Sequence, residues 1–589
     1  MNYNCFFFFK RYVIIRSFFF LAMTNEIKIL GNGDLGRKKE KKVFFPKGRI
    51  VDENAEKEII LLLKNKSKAR DMLIENLHLI QDKFKCLHSR HLTALATIMK
   101  MPLAEVYEVA SFYAHFDIVD NNNKPPEITI RVCDTVTCEM MGGKKLLQNL
   151  KKKYIKKNIR VVNAPCMGRC DTAPVLEIGH RHIDKANETK VEDVIKKNNY
   201  SPKIIKYINL SSYKKKGGYK ILKKCLLNKI KPSEIIKTLE NSNLKGLGGA
   251  GFPTGLKWKL TRNEPAPRLM AVNADEGEPG TFKDRFCMET DPHRFLEGTL
   301  IAAWVVEAKI CYIYLRDEYP FINKILKDEI KKIEEEGLTK YCKLIIRRGA
   351  GAYICGEESA MLESIEGKRG YPRHKPPFPV QEGLFGRPTL CNNVETLFWV
   401  RDILENGGKW FSNFGKNGGA GFRLYSVSGR VKKPGVIKAP AGITVKELID
   451  NYCGGMEKNH VFKGYLPGGA SGGILPASLG NIPLDFGKEL DKHGCFVGSA
   501  AIVIFSEKDS MKDIALNLLE FFEDESCGQC TPCRVGTEKV VKLLKNKKWN
   551  KKILDDLDKV MTDASICGLG QAASNPVNCV LKFFQNDIN

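Results

Sequence analysis

The chain has 589 residues, 19 cysteines, and 95 lysines and arginines against 68 acidic residues, which gives a formal net charge of +27. The length excludes a single hydrophobic core, and cysteines this dispersed exclude a small disulfide-stapled secreted scaffold and favour reduced, metal-ligating thiols. The lysines are scattered, as in LKKKYIKKN and YKKKGGYKILKK, which favours solvated faces over a nucleic-acid or membrane surface.

The first 24 residues differ from the rest of the chain. Residues 1–22 read MNYNCFFFFKRYVIIRSFFFLA, and Lys10, Arg11 and Arg16 divide the apolar run into short pieces. A signal peptide or a membrane anchor needs an unbroken run. We therefore interpret residues 1–24 as an N-terminal extension or a misassigned start, with a targeting segment as the alternative. No later stretch is apolar enough to predict a membrane span.

Two small domains are predicted next. Apolar residues at helical spacing in ENAEKEIILLLKNKSKARDMLIENLHLIQDKF, and the proline-led PLAEVYEVASFYAHF, predict a helical bundle over residues 25–120. After the break DNNNKPPE, the strand ITIRVC, the helix GGKKLLQNLKKKY and the strand IRVVNAPC predict a compact α/β unit over residues 121–198.

Four cysteines occupy the strand ends of this α/β unit. They form two close pairs, in CDTVTC and CMGRC, and are Cys133, Cys138, Cys166 and Cys170. Four thiols in so short a unit are suited to a 2Fe-2S cluster, with a tetrahedral zinc site as the alternative. The spacings are wider than those of two C-x-x-C knuckles, which favours iron and sulfide.

A glycine-rich loop opens the next domain. Residues 199–235 are basic and polar and are predicted to be a linker that leads into a domain over residues 236–420. That domain starts with LKGLGGAGFPTGLKWK, which contains Gly246, Gly248, Gly249, Gly251 and Lys257. Glycines also serve ordinary turns, but here their backbone amides and one cation could together cradle a phosphate.

Acidic and amide side chains recur along the same domain. VNADEGEPGTFKDR, YICGEESAML, KPPFP and LCNNVETL supply Asn273, Asp275, Glu276, Glu278, Glu357, Glu358, Phe378, Asn392 and Asn393. Each group alone fits a solvated turn. Together, in one α/β segment that also has the glycine loop, they predict a flavin or dinucleotide site.

The last part of the chain is predicted to hold two further domains. FRLYSVSGRV and SAAIVIFS indicate strands and TVKELIDNYCGG a helix, which predicts a small β-rich module over residues 421–508. Residues 509–589 are predicted to be helical and contain ESCGQCTPCRVG and ASICGLGQ. Cys527, Cys530, Cys533 and Cys567 are interpreted as the ligands of a 4Fe-4S cluster, whereas Cys579 fits an apolar face.

These motifs resemble a known family. GAGAYICGEESAMLES and ESCGQCTPCRVG resemble two signatures of the flavoprotein subunit of respiratory NADH-quinone oxidoreductase, complex I, while CDTVTC and CMGRC resemble its 2Fe-2S subunit. The resemblance covers nearly all of the chain after residue 24 and implies a fusion of the two subunits. It implies a multidomain α/β fold, with a helical bundle plus thioredoxin-like domain, a Rossmann-like FMN/NADH domain, a ubiquitin-like β-grasp module of the SLBB type and a C-terminal helical bundle.

The resemblance also implies the activity, the cofactors and the partners. An NADH dehydrogenase would deliver hydride to flavin, which can release electrons one at a time to iron–sulfur clusters and, through partner subunits, to quinone. The expected cofactors are FMN, NADH/NAD, one 2Fe-2S cluster and one 4Fe-4S cluster. The expected partners are other peripheral-arm subunits of complex I, including the next iron–sulfur subunit, with the membrane arm reached indirectly and no nucleic acid. The expected location is cytoplasmic, on the inner face of the cell membrane.

The resemblance also implies which residues form the site, at the positions where the motifs match. Glu278 and Glu358 would make the catalytic contacts to NADH, with Lys375 and Phe378 on the adenine side. The other expected FMN- and NADH-binding residues are Gly246, Gly248, Gly249, Gly251, Lys257, Asn273, Asp275, Glu276, Tyr353, Gly356, Glu357, Asn392, Asn393 and Thr396. The chain departs from the family where Lys245 and Leu247 replace arginines and where Met167 replaces a leucine.

Two other functions remain open at this point. One is the diaphorase module of a soluble NAD-linked hydrogenase or formate dehydrogenase, which also resembles fused forms of these subunits. The other is a basic nucleic-acid binder with two structural zinc sites, which would leave the glycine loops and acidic clusters without a role.

Overall fold

The computed structural model describes residues 50–120, 126–155 and 157–588. The predicted N-terminal extension, residues 1–24, and the first part of the predicted helical bundle, residues 25–49, lie outside the described residues. Within the described ranges, no helix combines the length and the apolar character needed to cross a membrane.

Helices dominate the first described region. They are α1 (Glu53–Leu62), α2 (Leu73–Phe84), α3 (Ser89–Met99) and α4 (Leu103–Phe112). Their apolar residues recur every three or four positions, so each helix buries one stripe, as at Ile59, Leu77 and Leu95. Two short parallel strands, β1 (Leu87–His88) and β2 (Ile118–Val119), link the ends of this region. The helices that the sequence predicts between residues 53 and 112 are therefore present.

The first sheet carries the first cysteine set. Its strands are β3 (Ile128–Cys133), β4 (Ile159–Ala164), β5 (Leu176–Ile178) and β6 (Arg181–Ile183), in the order β4-β3-β5-β6. The pair β3–β4 is parallel and the other pairs are antiparallel. Its helices are α5 (Val136–Met140), α6 (Gly143–Tyr154) and α7 (Glu188–Lys196). The strands predicted in ITIRVC and IRVVNAPC and the helix between them are confirmed.

The segment predicted as a linker, residues 199–235, differs from that prediction. It contains α8 (Leu210–Lys215) and α9 (Lys220–Leu226) and runs into α10 (Pro232–Ser242). Leu210, Tyr213 and Leu222 are buried in the same core as the parallel sheet that follows. Composition alone did not predict these short amphipathic helices. Lysine occupies their exposed faces and gives the segment the composition of a polar linker.

The second sheet is fully parallel. Its strands are β7 (Leu269–Ala274), β8 (Ile310–Leu315), β9 (Lys343–Arg348) and β10 (Thr389–Asn393), in the order β10-β7-β8-β9. The associated helices are α11 (Thr254–Asn263), α12 (Lys283–Thr290), α13 (Pro292–Val305), α14 (Pro320–Glu335), α15 (Glu358–Ile365), α16 (Val394–Asn406) and α17 (Gly408–Ser412). Parallel strands end at one common edge, and ligands of open α/β sheets bind there.

A mixed sheet and a helical region complete the chain. The strands are β11 (Phe422–Gly429), β12 (Gly435–Pro440), β13 (Phe462–Leu466), β14 (Leu475–Pro476) and β15 (Ala501–Ser506), in the order β12-β11-β15-β13-β14. Two short α-helices lie within this region, α18 (Val445–Glu447), which continues as a π-helical segment (Leu448–Tyr452), and α19 (Lys488–Asp491). The last helices are α20 (Met511–Glu525), α21 (Thr531–Leu544), α22 (Lys551–Ala564), α23 (Gly568–Ala572) and α24 (Asn575–Phe583).

Close packing of α13 on α16 gives a stability prediction. A Cβ atom at Gly298 would lie 2.0 Å from the backbone oxygen of Leu397, and a backbone atom cannot move aside as a flexible side chain can. We expect Gly298→Ala to lower the apparent Tm by about 5 °C, because overpacking separates the two helices. Differential scanning fluorimetry measures this, with the exposed Lys331→Ala in α14 as the control. An unchanged Tm for Gly298→Ala would contradict the packing.

Candidate functional site

A cavity of about 580 Å³ opens at the carboxyl edge of the parallel sheet. Its wall is formed by the segments after β7 and β9, the end of β10, the glycine loop before α11, loops of the mixed-sheet region and the C-terminal helices. Ten of the predicted site residues line it, namely Gly248, Gly249, Asn273, Asp275, Glu276, Glu278, Tyr353, Gly356, Glu357 and Asn393. The topology therefore gathers side chains that lie far apart in the sequence.

The glycine loop gives the cavity an open backbone wall. Gly249 has φ +136°, and a Cβ built there would meet no atom within 4 Å. The neighbouring Gly251 also has a positive φ, and its Cβ would come within 2.8 Å of the Phe486 ring. Only glycine adopts such conformations readily. A ligand can thus approach the backbone at Gly249 directly, as a phosphate or pyrophosphate group requires.

One buried carboxyl oxygen in the cavity lacks a hydrogen-bond partner among the residues that the structure describes. The amide nitrogen of Asn273 donates to the Gly356 carbonyl at 2.7 Å, whereas Oδ2 of Asp275 is buried without a hydrogen bond among the described residues. Burial raises the pKa of Asp275 to about 8. A ring system with an N–H donor, such as the isoalloxazine of FMN, would satisfy this oxygen, so the residues present fit a flavin.

Glu278 joins three segments at the cavity. Its Oε1 accepts hydrogen bonds from the backbone nitrogen and the hydroxyl of Ser471, at 2.9 and 2.8 Å, and its Oε2 accepts one from the Tyr353 hydroxyl. Burial raises the pKa of Glu278 despite these donors. The carboxyl group is therefore held in one orientation while it faces the cavity.

Four predicted residues form an ion-pair cluster beside the cavity. Lys257 lies 3.1 Å from Glu358, and Lys375 lies 2.8 Å from Glu357 and 3.2 Å from Glu358. Burial alone would raise the pKa of Glu358, but the two lysines together lower it. Glu358 is therefore held as an anion. Phe378 is 50% exposed, which leaves its ring free to stack on a planar group.

The remaining predicted residues support the walls and do not line the cavity. Asn392 accepts a hydrogen bond from the indole of Trp258 at 2.9 Å, and the Thr396 hydroxyl accepts one from the backbone nitrogen of Leu247. Gly246 and Gly251 bond to each other within the loop. Leu247, at which the resemblance implied an arginine in the family, has a buried side chain. Glu276 does line the cavity, yet its carboxylate accepts from the first backbone nitrogens of α12 and from Tyr319.

The first cysteine set is brought together and buried. Cys133, Cys138, Cys166 and Cys170 are each at most 4% exposed, and the sulfur atoms of Cys166 and Cys170 are 3.4 Å apart. Hydrogen bonds among the thiols lower the pKa of Cys166 and raise the pKa values of Cys133 and Cys170, as expected for sulfur atoms that share protons at close range. All four are free thiols, so the donor set fits an iron–sulfur cluster.

The second cysteine set surrounds a small cavity. Cys530 immediately precedes α21, Cys533 lies in its first turn, and Cys567 immediately precedes α23. With Cys527 they line one small enclosed space, together with Ile354 and Leu569. This arrangement fits a four-cysteine cluster that fastens α23 to α21.

Both cysteine sets lie close to the wall of the large cavity, the one of about 580 Å³. Ile354 and Leu569 line the space between the second set of cysteines and also the large cavity. On another side, Phe282 packs against Cys166 and Cys170, while its neighbours Thr281 and Lys283 line the large cavity. Ile354 and Leu569 therefore lie between the second set and the cavity, and residues 281–283 connect the first set to the cavity wall.

Several residues of this site were not predicted from the sequence. Arg316 donates to the Cys166 carbonyl at 2.6 Å and to the Glu276 carbonyl, and Arg285 donates to the Gly168 carbonyl at 2.8 Å. Ser471, Phe496 and Asn575 line the cavity from distant parts of the sequence. The GG pairs in LPGGASGGI were the signal for a close backbone approach near Ser471.

Four sequence families match the chain. They are the Nuo51 FMN-binding domain at residues 239–402, a thioredoxin-like [2Fe-2S] ferredoxin at residues 59–199, the NADH-ubiquinone oxidoreductase-F iron-sulfur binding region at residues 513–589 and the SLBB domain at residues 424–475. A cavity lined by acidic and amide side chains, with a four-cysteine set on each of two sides, together with these matches defines an iron–sulfur flavoprotein.

Similarity to individual proteins identifies the family of this chain. An F subunit of NADH-quinone oxidoreductase in Rhizobium meliloti (strain 1021) is 41% identical over 391 residues, 64% of this chain and 92% of the relative. NADH dehydrogenase [ubiquinone] flavoprotein 1, mitochondrial, of Dictyostelium discoideum is 41% identical over 375 residues, 60% of this chain and 78% of the relative. The chain belongs to the family of NADH-quinone oxidoreductase F subunits.

A solved structure resembles the fold over more of the chain. The crystal structure of an NAD+-reducing [NiFe]-hydrogenase in the air-oxidized state has a chain that superposes with a TM-score of 0.77 at 29% identity. The match covers 89% of this chain and 94% of that one. It therefore includes residues on both the 2Fe-2S side and the flavin side.

Proposed function

We propose that this chain is the NADH dehydrogenase module of an NADH-quinone oxidoreductase. It binds NADH, transfers hydride to FMN, and passes single electrons through its iron–sulfur clusters to partner subunits and onward to quinone. The observation that carries this proposal is the position of the cavity, which shares Ile354 and Leu569 with the second cysteine set. FMN, when bound, supplies the conversion from two-electron to one-electron chemistry.

The protein's part in the reaction is binding and orientation. Gly248 and Gly249 leave the backbone open to a phosphate, and Asp275 offers its unpartnered oxygen to a ring N–H. Asn273 and Tyr353 stay in place because Asn273 bonds to the Gly356 carbonyl and Tyr353 to the buried Glu278. Cys133, Cys138, Cys166 and Cys170 would hold the 2Fe-2S cluster, and Cys527, Cys530, Cys533 and Cys567 the 4Fe-4S cluster.

The same proposal includes the order of the domains, the partner subunits and the location. The domain order is a helical bundle plus thioredoxin-like domain, a Rossmann-like FMN/NADH domain, a ubiquitin-like module and a helical 4Fe-4S domain. The partners are the other peripheral-arm subunits, including the next iron–sulfur subunit, and the membrane arm is reached through them. The proposed location is cytoplasmic, peripheral on the inner face of the cell membrane through the other subunits of complex I.

The ion-pair cluster predicts which dinucleotide is oxidised. Glu358 is anionic, so it accepts bonds from a ribose 2′-hydroxyl and repels a 2′-phosphate. We expect kcat/KM for NADH to exceed that for NADPH by about a hundredfold, and Glu358→Gln to reduce this ratio about tenfold. Steady-state rates with ferricyanide measure the ratio, and the exposed Glu382→Gln serves as the charge-matched control. Equal wild-type rates with both dinucleotides would contradict the assignment.

An anaerobic optical and EPR titration of the purified protein with NADH tests the function. We expect one FMN, about six iron atoms and NADH-reducible signals from a four-iron cluster. Bound zinc in place of iron, without flavin, would refute the redox function and return the cysteines to a structural role.

One observation favours a second candidate, the diaphorase module of an NAD-linked hydrogenase. A chain of the NAD+-reducing hydrogenase matches 89% of this chain, so an enzyme of that kind uses the same combination of domains. Purifying the native complex separates the two candidates. Nickel in the complex would support the hydrogenase, and quinone reduction with membrane subunits would support the respiratory enzyme.

A further inference from the structure

Two buried cysteines outside both cluster sites lie in contact. The sulfur atoms of Cys495 and Cys579 are 3.5 Å apart, and the two residues are 1% and 2% exposed. Cys495 follows α19 in the mixed-sheet region, whereas Cys579 lies on α24 in the C-terminal helical region. The pair is therefore a direct thiol contact between two regions that are 84 residues apart in sequence. Both thiols are free, and neither has a role in the proposed electron transfer.

The backbone at Gly473 packs closely against both sulfur atoms of the pair. A Cβ at Gly473 would lie 2.6 Å from the sulfur of Cys495 and 3.0 Å from that of Cys579. Gly473 also has φ +80°, so any other residue would be strained as well as crowded. The backbone nitrogen of Ile474 bonds to Cys579, and this bond, after the one from Cys495, lowers the pKa of Cys579. Cys579 is thus the thiol of the two that more readily forms the reactive thiolate.

Each segment that holds this pair also supplies a residue to the cavity wall. Phe496 lines the cavity and follows Cys495 directly, and Asn575 lines it one helical turn before Cys579. Asn575 donates to the Ser471 carbonyl at 2.9 Å, and Ser471 in turn holds Glu278. A change in the distance between Cys495 and Cys579 would therefore move the residues that orient Glu278.

We propose that Cys495 and Cys579 form a reversible disulfide when the protein meets peroxide, and that this bond changes NADH binding by shifting the cavity wall at Phe496, Ser471 and Asn575. The site is a modification site, and its reagent class is a hydroperoxide. Hydrogen peroxide is small and uncharged, so local opening of the two packed regions suffices for its entry. The effect on NADH rests on the proposed function, whereas the disulfide itself does not.

The chemistry balances in two steps. The Cys579 thiolate attacks one peroxide oxygen, an S–O bond forms as the O–O bond breaks, and the leaving hydroxide takes up the thiol proton to give water. The Cys495 sulfur then attacks the sulfenic sulfur, an S–S bond forms as the S–O bond breaks, and a second water leaves. Two thiols lose two electrons and one peroxide gains them. A cellular dithiol reverses the reaction by thiol–disulfide exchange.

Peptide mapping of the full-length holoprotein tests the site. The protein is treated with stepwise additions of hydrogen peroxide, its free thiols are alkylated, and it is digested without reductant, while the visible absorption of the clusters is followed to exclude their loss. We expect a cross-linked peptide pair that joins Cys495 to Cys579 and separates with dithiothreitol. Cys495→Ser and Cys579→Ser should abolish it. Cys453→Ser, at a fully buried cysteine of the same mixed-sheet region, should leave it unchanged.

Kinetics with NADH and ferricyanide tests the coupling to the cavity. We expect the KM for NADH to change about threefold on oxidation, because small displacements of positioning residues alter binding. Dithiothreitol should reverse the change, and Cys579→Ser should not show it. If both cysteines remain separately alkylated after peroxide, the modification site is refuted. A cross-link without a change in KM would refute the coupling, and a cross-link in a protein that never oxidises NADH would refute the proposed function while leaving the disulfide intact.

Discussion

Cys567→Ala should cost the protein about four of its roughly six iron atoms and abolish the EPR signal of the four-iron cluster. Cys567 is the one member of its set that lies outside the segment from Cys527 to Cys533, and it immediately precedes α23. Alanine leaves three ligands and an open coordination position next to Ile354. Iron analysis and EPR of the NADH-reduced protein measure the loss, and the 2Fe-2S signal should remain.

A buried cysteine outside both sets gives the matched control. Cys453→Ala removes the same sulfur atom from a fully buried position in the mixed-sheet region and should retain all iron. If Cys567→Ala also kept about six iron atoms and the four-iron signal, the fourth ligand would have to be another residue. The order of domains along the chain would be unaffected by that result.

Gly249→Ala should release FMN, with a loss in flavin affinity of at least about tenfold. The backbone of Gly249 has φ +136°, where a residue with a Cβ is strained by about 1–3 kcal/mol. The added methyl group would also project into the space that a phosphate needs. Flavin fluorescence after gel filtration measures the retained cofactor, and titration with FMN gives the affinity.

The control for Gly249→Ala separates backbone strain from lost cavity space. Gly407 has φ +93°, and a Cβ there would likewise meet no atom within 4 Å, but it lies at the end of α16 and does not line the cavity. Gly407→Ala should therefore destabilise the fold to a similar extent while keeping FMN bound. Equal flavin loss in both variants would mean that strain alone explains the effect.

The cysteine sets could be predicted from sequence because their members are chemically distinctive and locally spaced. Three cysteines of the second set lie within seven residues, and two pairs make up the first set. Cys567 needed only the expectation that an iron–sulfur cluster takes a fourth ligand. The structure brings each set together, although the sequence alone left zinc open at the first set.

The cavity wall could be predicted only in part, because it depends on contacts over long sequence distances. Ser471 donates a hydrogen bond to Glu278, which is 193 residues away in the sequence. No local sequence pattern identifies a serine as the partner of a buried glutamate. Conversely, Asn392 and Thr396 belong to the same sequence motif as Asn393, which lines the cavity. Their side chains do not line it, because Asn392 accepts a hydrogen bond from Trp258 and Thr396 accepts one from Leu247. Along β10 alternate residues point to opposite sides, so neighbours in one motif need not share a surface.

Arg285 and Arg316 contact the 166–171 loop, and these contacts join two parts of one polypeptide. The two parts are connected through the largely exposed residues 201–206. In such a molecule the two parts face each other at an effective concentration in the millimolar range, set by the length of the connection. Their association does not weaken on dilution. A single proteolytic cut between residues 201 and 206 would turn this contact into an ordinary bimolecular equilibrium, with its own dissociation constant and its own dependence on salt.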